Sequence, residues 1–164
     1  MPTLRDIPTP ALIVDLDRLE RNVARMAERA EQLGVRLRPH VKTHKCVEIG
    51  RMQLAAGAAG ITVSTPHEAE VFATAGFDDL LWAFPVIPSR VEQMSAVAGR
   101  AELGWVVDGE AAVRSLPSNA RVWLKVDCGY HRCGVAPEPD SAARVVKALD
   151  RAGHRFVGLL SHSG

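Results

Sequence analysis

The spacing of apolar positions changes period several times along the chain, and each change predicts an element. Leu19, Val23, Met26, Ala30 and Leu33 recur every three or four residues with Arg18, Arg21, Arg25 and Glu28 between them, which is one apolar stripe on a helix. Asp15 or Asp17 offers the N-cap, and Gly34 stops the helix. A short β-rich run, residues 11–14, precedes it. Directly after Gly34 the period falls to two. Leu37, Pro39 and Val41 alternate with Arg38, His40 and Lys42, so an extended chain sends the apolar set to one face and the ionisable set to the other. Val47, Ile49, Met52, Leu54 and Ala55 then carry a second helix towards Gly57.

The same alternation of strand and helix continues. Further strands are predicted at residues 60–64, 79–84, 103–107, 121–127 and 156–161, with helices at 65–75, 89–98, 109–116 and 141–152. Thr65-Pro66-His67-Glu68 has the marks of a helix start: Thr as N-cap, Pro at the first helical position and Glu three residues after the cap. Short connections between alternating elements imply parallel strands and right-handed crossovers. The strands are nearly continuously apolar, as in a sheet covered by helices, and no G-x-G-x-x-G turn suggests a dinucleotide-binding sheet. The expected fold is α/β, an incomplete TIM-type (β/α)8 barrel of about six parallel strands. A closed barrel takes about 250 residues, so 164 residues are expected to leave the ring open, as a fragment would. Two open edges invite pairing with a second copy, and a homodimer is expected.

Composition narrows the partners. Twenty basic residues against nineteen acidic ones give no electrostatic case for nucleic acid or an anionic membrane, which leaves a small-molecule ligand. No signal-peptide pattern or apolar run of about 18 residues occurs, so a cytoplasmic protein is expected. Cys46, Cys128 and Cys133 form no C-x-x-C pair and fit reduced thiols.

Candidate chemistry concentrates at residues 37–45. Cationic and imidazole neighbours in a partly desolvated site favour the neutral form of an amine, and a neutral amine attacks a carbonyl to form a Schiff base. Lys42 is therefore a candidate nucleophile, with a solvated strand end as the plain alternative. His40 and His44 lack a nearby third ligand and make a weak metal site. The string Arg38-Pro39-His40-Val41-Lys42-Thr43-His44-Lys45, continued by residues 46–49 and the run 55–58, resembles the first barrel strand and following helix of the D-threonine aldolase and D-serine dehydratase family. These are fold-type III pyridoxal phosphate enzymes related to alanine racemase. Residues 1–35 are expected to form an N-terminal strand and helix leading into the barrel, and the resemblance implies that residues 36–164 are the first part of an alanine racemase N-terminal-type barrel. It implies pyridoxal 5'-phosphate carried on Lys42. It also implies that the last barrel strands, much of the phosphate cup, a C-terminal β domain and any divalent-metal ligands lie in sequence not present here.

Two further stretches carry the resemblance. Residues 125–135 are similar to the family's D-x-G-x-x-R-x-G loop, which implies that Arg132 sits by the cofactor ring oxygen, where a guanidinium would hold negative charge. Gly158-Leu159-Leu160-Ser161-His162 is similar to the strand end where a histidine lies against the pyridine ring, which points to His162. Tyr130 and His131 directly precede Arg132 and have weaker claims, as proton-transfer groups or as plain surface or packing residues; His40 and Tyr130 join the expected cofactor-binding set. Lys125 and Asp127, two apart, read more simply as an ion pair lining the barrel. Ser64 and Thr65 read as capping residues, and Trp82, Trp105 and Trp123 as core. The implied activity is that of a lyase on D-β-hydroxy amino acids, by aldol cleavage or dehydration. Racemisation is one alternative, and a non-catalytic, cofactor-binding or inactive fragment is the other.

Overall fold

A computed structural model describes residues 3–163. Five strands form one sheet: β1 (Ile61–Val63), β2 (Asp79–Pro85), β3 (Glu102–Val107), β4 (Arg121–Val126) and β5 (Arg155–Ser161). All neighbouring pairs are parallel, and the order along the sheet is the order along the chain. A doubly wound sheet reverses strand order at a switch point. Sequential order without reversal is the arrangement of a barrel wall.

The helices are α1 (Leu16–Gln32), α2 (Val47–Ala55), α3 (Pro66–Thr74), α4 (Val91–Ala98), α5 (Glu110–Val113) and α6 (Pro139–Arg151). Their ends follow local chemistry. Asp15 caps α1 by accepting the Arg18 N–H at 3.0 Å, and Thr65 caps α3 by accepting the Glu68 N–H at 3.1 Å. Gly76, with φ 86°, ends α3 where a side chain would be strained.

Alternation along the strands separates two faces. Ile61, Val63, Leu80, Trp82, Leu103, Trp105, Val107, Val122 and Leu124 belong to one buried cluster with Phe72, Met94, Val145 and Leu149 of the helices. Each large apolar side chain so buried contributes about 1.5–3 kcal/mol. The opposite, inner face carries Thr62, Leu81, Ala83, Gly104, Trp123 and Lys125. Trp123 is thus half-buried on the inner face, unlike the fully packed Trp82 and Trp105. Its ring occupies the space beside Gly104, where a Cβ would stand 2.5 Å from Trp123 Cζ3.

The structure changes the expected strand count. Residues 37–40 run beside β1, with the Ala59 N–H donating to Leu37 O and the Thr62 N–H to Pro39 O, but form only one bridge, His40 to Thr62. Pro39 has no N–H to extend the ladder, and the chain turns at once into a 3-10 helix, Val41–Thr43. The wall therefore has five strands plus this single-bridge segment, against the six strands expected. The β-rich run at residues 11–14 is likewise not a strand: it has no ladder partner, and Leu12 is 94% exposed.

One end of the wall is closed by charge. Arg38, from the single-bridge segment, and Arg121, at the start of β4, both pair with Asp79 at the start of β2, and Arg121 also pairs with Glu102 at 2.8 Å. Gly60 lets this ring close, since a Cβ there would lie 2.3 Å from Arg38 Nη1. At the lateral edges apolar surface remains: Phe156, Val157 and Leu159 on β5, and Leu16 and Met26 on α1 with Leu33 at its C-cap, are exposed.

Candidate active site

At the opposite end, where the strands terminate, a cleft of about 230 Å³ is lined by His40, Lys42, Ser64, Lys125, Arg132 and His162, among others. Each reaches the cleft for a local reason. Val41 is fully buried and anchors the 3-10 turn, so that His40 and Lys42 on either side of it face the cleft. The His40 side chain caps that turn, Nδ1 accepting the Lys42 N–H at 3.4 Å. The proton of the neutral ring is therefore on Nε2, which faces Ser64 Oγ at 3.4 Å. Burial and the adjacent Lys42 charge hold the His40 imidazole below its ordinary range, which favours the neutral form.

The loop after β4 is folded onto the strand it leaves. The Asp127 N–H donates to Val135 O, and the Val135 N–H donates to Lys125 O, both at 2.9 Å. The Asp127 carboxylate accepts the N–H groups of Gly129 and His131 and faces His131 Nδ1, each at 3.0 Å. The amides of His131 and Gly129 hold this carboxyl below the usual range. His131 is thereby fixed at φ 55°. Gly134 is required for the close return, because a Cβ there would lie 2.5 Å from Asp127 N and 2.7 Å from Val126 C.

This folding brings three predicted residues together. The Arg132 guanidinium lies 5.4 Å from the Tyr130 ring centroid, and that ring meets His162 edge-on at 5.4 Å and 84°. Desolvation, then the charges of Arg132, Lys125 and Lys42, push the His162 imidazole below its ordinary range. Lys42, His40, Arg132 and His162 thus share one cleft, and Tyr130 stands behind His162. His131 does not join them; its side chain is 83% exposed. His44 turns away, with Nδ1 accepting the Cys46 N–H at 3.1 Å.

The expected Lys125–Asp127 pair is absent, because Asp127 is taken by its own loop. Lys125 is only 4% exposed, and among the described residues no ion pair joins it, Lys42 or Arg132 to a carboxylate. Glu68 is the other residue that sequence reasoning left as a cap. It is 5% exposed and pairs with Lys45 Nζ at 3.1 Å. An acid at the third helical position, directly behind a predicted strand end, was the available signal; its burial was not legible. No group of three or more His, Cys, Asp or Glu placed to hold a metal ion occurs among the described residues.

Known proteins share this fold. The chain is 42% identical over 171 residues to D-threo-3-hydroxyaspartate dehydratase of Delftia sp. (strain HT23), covering 99% of this chain and 45% of that protein. The solved structure of that enzyme matches with a TM-score of 0.90 over 99% of this chain and 45% of that one, at 39% identity. D-threonine aldolase from Filomicrobium marinum matches with a TM-score of 0.89 at 40% identity, over 95% of this chain and 44% of that one. D-serine dehydratase of Dictyostelium discoideum is 33% identical over 98% of this chain and 46% of that protein. The chain therefore spans a little under half the length of these relatives. The family model for the alanine racemase N-terminal domain matches residues 14–164, and the chain belongs to that family.

Proposed function

We propose that the parent protein binds pyridoxal 5'-phosphate through the Lys42 amine and is a lyase acting on D-β-hydroxy amino acids, by dehydration or aldol cleavage. The observation that carries this reading is the cleft: an exposed primary amine shares it with Lys125, Arg132, two imidazoles and, at its floor, Arg38, and no carboxylate lines it among the described residues. That donor set suits an anionic ligand bearing an aldehyde. When bound, the cofactor supplies an electron sink that labilises bonds at the α-carbon of an amino acid.

The chain's own residues divide the remaining work. Lys42 would hold the aldehyde carbon and afterwards serve as a base at Nζ. Arg132 and Lys125 would offset negative charge on the ligand, and Tyr130 props the His162 ring at the cleft wall. His162 and His40 are both biased towards the neutral form, so neither adds a competing charge beside the amine. The closeness of the dehydratases and aldolases favours lyase chemistry over racemisation.

Residues 36–164 are proposed as the first part of a barrel that the rest of the parent completes, covering the apolar side chains along β5 and α1, within a homodimer. No helix among the described residues is long and apolar enough to cross a membrane. The binding arm of the test is reduction with borohydride in the presence of pyridoxal phosphate, followed by peptide mapping. Label on Lys42 is expected, and label elsewhere or nowhere refutes the assignment. The reaction is tested on the intact parent, with and without a chelator, using D-serine, D-threonine and D-threo-3-hydroxyaspartate. A keto acid with ammonia marks dehydration, and an aldehyde with glycine from D-threonine marks aldol cleavage. Loss of chirality alone replaces the lyase reading with a racemase.

A further inference from the structure

We infer that Glu68 is a positioning residue for Lys42, acting through a closed ring of contacts around the turn that carries the amine. The inference rests on the reading of Lys42 as the reactive amine, but the ring itself is observed directly in the contacts within this chain.

The ring can be followed from atom to atom. The Lys42 N–H donates to His40 Nδ1 at 3.4 Å, and His40 Nε2 faces Ser64 Oγ at 3.4 Å. The Ser64 N–H donates to Glu68 Oε2 at 2.7 Å, and Lys45 Nζ pairs with Glu68 Oε1 at 3.1 Å. Lys45 returns to the turn through its own backbone, its N–H donating to Val41 O at 2.7 Å, beside the His44 N–H at 3.1 Å. The side chains on either side of the Val41–Thr43 turn, His40 before it and Lys45 after it, are thus tied to one βα junction, Ser64 and Glu68.

Three features distinguish this from an ordinary helix cap. In a capping box the acid at the third position returns to the backbone N–H of the cap residue itself. Here Glu68 passes Thr65 and takes the Ser64 N–H, one residue earlier, which brings its carboxylate over the end of β1. Lys45 adopts φ 50°, a conformation that a lysine reaches at a cost and keeps where its surroundings hold it. Glu68 is 5% exposed, while its partner Lys45 has a side chain 63% exposed. The acid is the fixed point, and the turn is fastened to it. Burial would raise the Glu68 pKa, but the Ser64 N–H and Lys45 outweigh that and keep the carboxyl ionised. Trp82 Nε1 donates to Ser64 O at 3.1 Å, which fixes the junction from the core side.

A cap and a clamp predict different responses. Glu68→Gln keeps an acceptor for the Ser64 N–H and loses the charge that holds Lys45. Lys45→Met leaves the cap intact and removes the clamp from its exposed side, where folding is least at risk. The measurements are amide hydrogen exchange of the whole 164-residue chain and the share of borohydride-fixed pyridoxal phosphate found on Lys42. In both variants the His44 and Lys45 amides are expected to exchange about tenfold faster, and the Lys42 share to fall severalfold. Amides inside α3 should keep wild-type rates, Glu68→Asp should restore part of the protection, and the double variant should add little to either single one. Wild-type exchange at His44 and Lys45 in Lys45→Met overturns the proposal, as does loss of protection confined to α3 in Glu68→Gln. If wild-type protein takes no label at Lys42, the functional reading fails, and the exchange measurements still decide the clamp.

Discussion

The two ends of the sheet handle positive charge in opposite ways. At the ends where the strands begin, Arg38 and Arg121 are neutralised by Asp79, and Arg121 also by Glu102. Where the strands finish, Lys42, Lys125 and Arg132 share a cleft that reaches down to Arg38 and has no carboxylate among its described lining residues. The first arrangement satisfies itself and needs nothing from outside. The second has unspent positive potential that only an added anion relieves. Stability should therefore respond to changes at the first end, and ligand binding to changes at the second.

The largest expected effect breaks the neutral end. Asp79→Asn leaves two guanidinium groups without their shared charge in a part-buried setting, at a cost of about 2–4 kcal/mol in urea unfolding. Burial would raise the Asp79 pKa, but Arg38 and Arg121 outweigh it and keep the carboxyl below the usual range. The sign follows from a folded pKa below the unfolded one. The contribution is fully present above about pH 4 and is lost as pH falls through the lowered folded value. The variant should lose this part of the acid limb of the stability profile, while folded protein still takes label at Lys42. A pH profile unchanged from wild type would show that the ring is not a source of stability.

Gly134→Ala tests the geometry of the other end. A Cβ at φ 122° and 2.5 Å from Asp127 N forces the loop to move, at a cost of about 1–3 kcal/mol. Because the loop carries Arg132, affinity for pyridoxal phosphate should fall along with stability, measured by absorbance titration and thermal melting. Stability lost without affinity would separate Arg132 from the ligand.

Lys125→Met should reverse that pairing of effects. Replacing a buried, unpaired cation with an apolar side chain of similar length is neutral or mildly stabilising. Removing one charge from the cleft should weaken pyridoxal phosphate binding about tenfold, or about 1.4 kcal/mol. Unchanged binding by titration would mean that Lys125 does not face the ligand.

The two ends also differed in how far the sequence exposed them. The alternation through Leu37–Lys42 put His40 and Lys42 on one face correctly, because period two survives even where Pro39 and the following turn prevent a full strand. The α3 start was legible because Thr65, Pro66 and Glu68 act within four residues of one another. The charge ring was not, since Arg38, Asp79, Glu102 and Arg121 are brought together only by parallel register. Lys125 was assigned to Asp127 on spacing alone, and the loop's own amides took that carboxylate first. The run at residues 11–14 has strand composition but no neighbour to pair with, and propensity without a partner makes no ladder.

The smallest expected effect is also the most direct reading of the cleft's field. His162 lies beside Arg132, Lys125 and Lys42, and desolvation followed by these charges lowers its pKa. A histidine whose folded pKa lies below its unfolded one lends stability that is present above about pH 6.5 and declines as pH falls. The imidazole should titrate by NMR at a midpoint below that of free histidine. Arg132→Gln should raise the midpoint, and so should phosphate or pyridoxal phosphate bound in the cleft, because either reduces the same positive potential. The Asp79→Asn variant, which reaches the cleft only through Arg38 at its floor, should move the midpoint less than Arg132→Gln does. If Asp79→Asn moves it as much as Arg132→Gln does, the two ends are not electrostatically separate, and the division of labour between them fails.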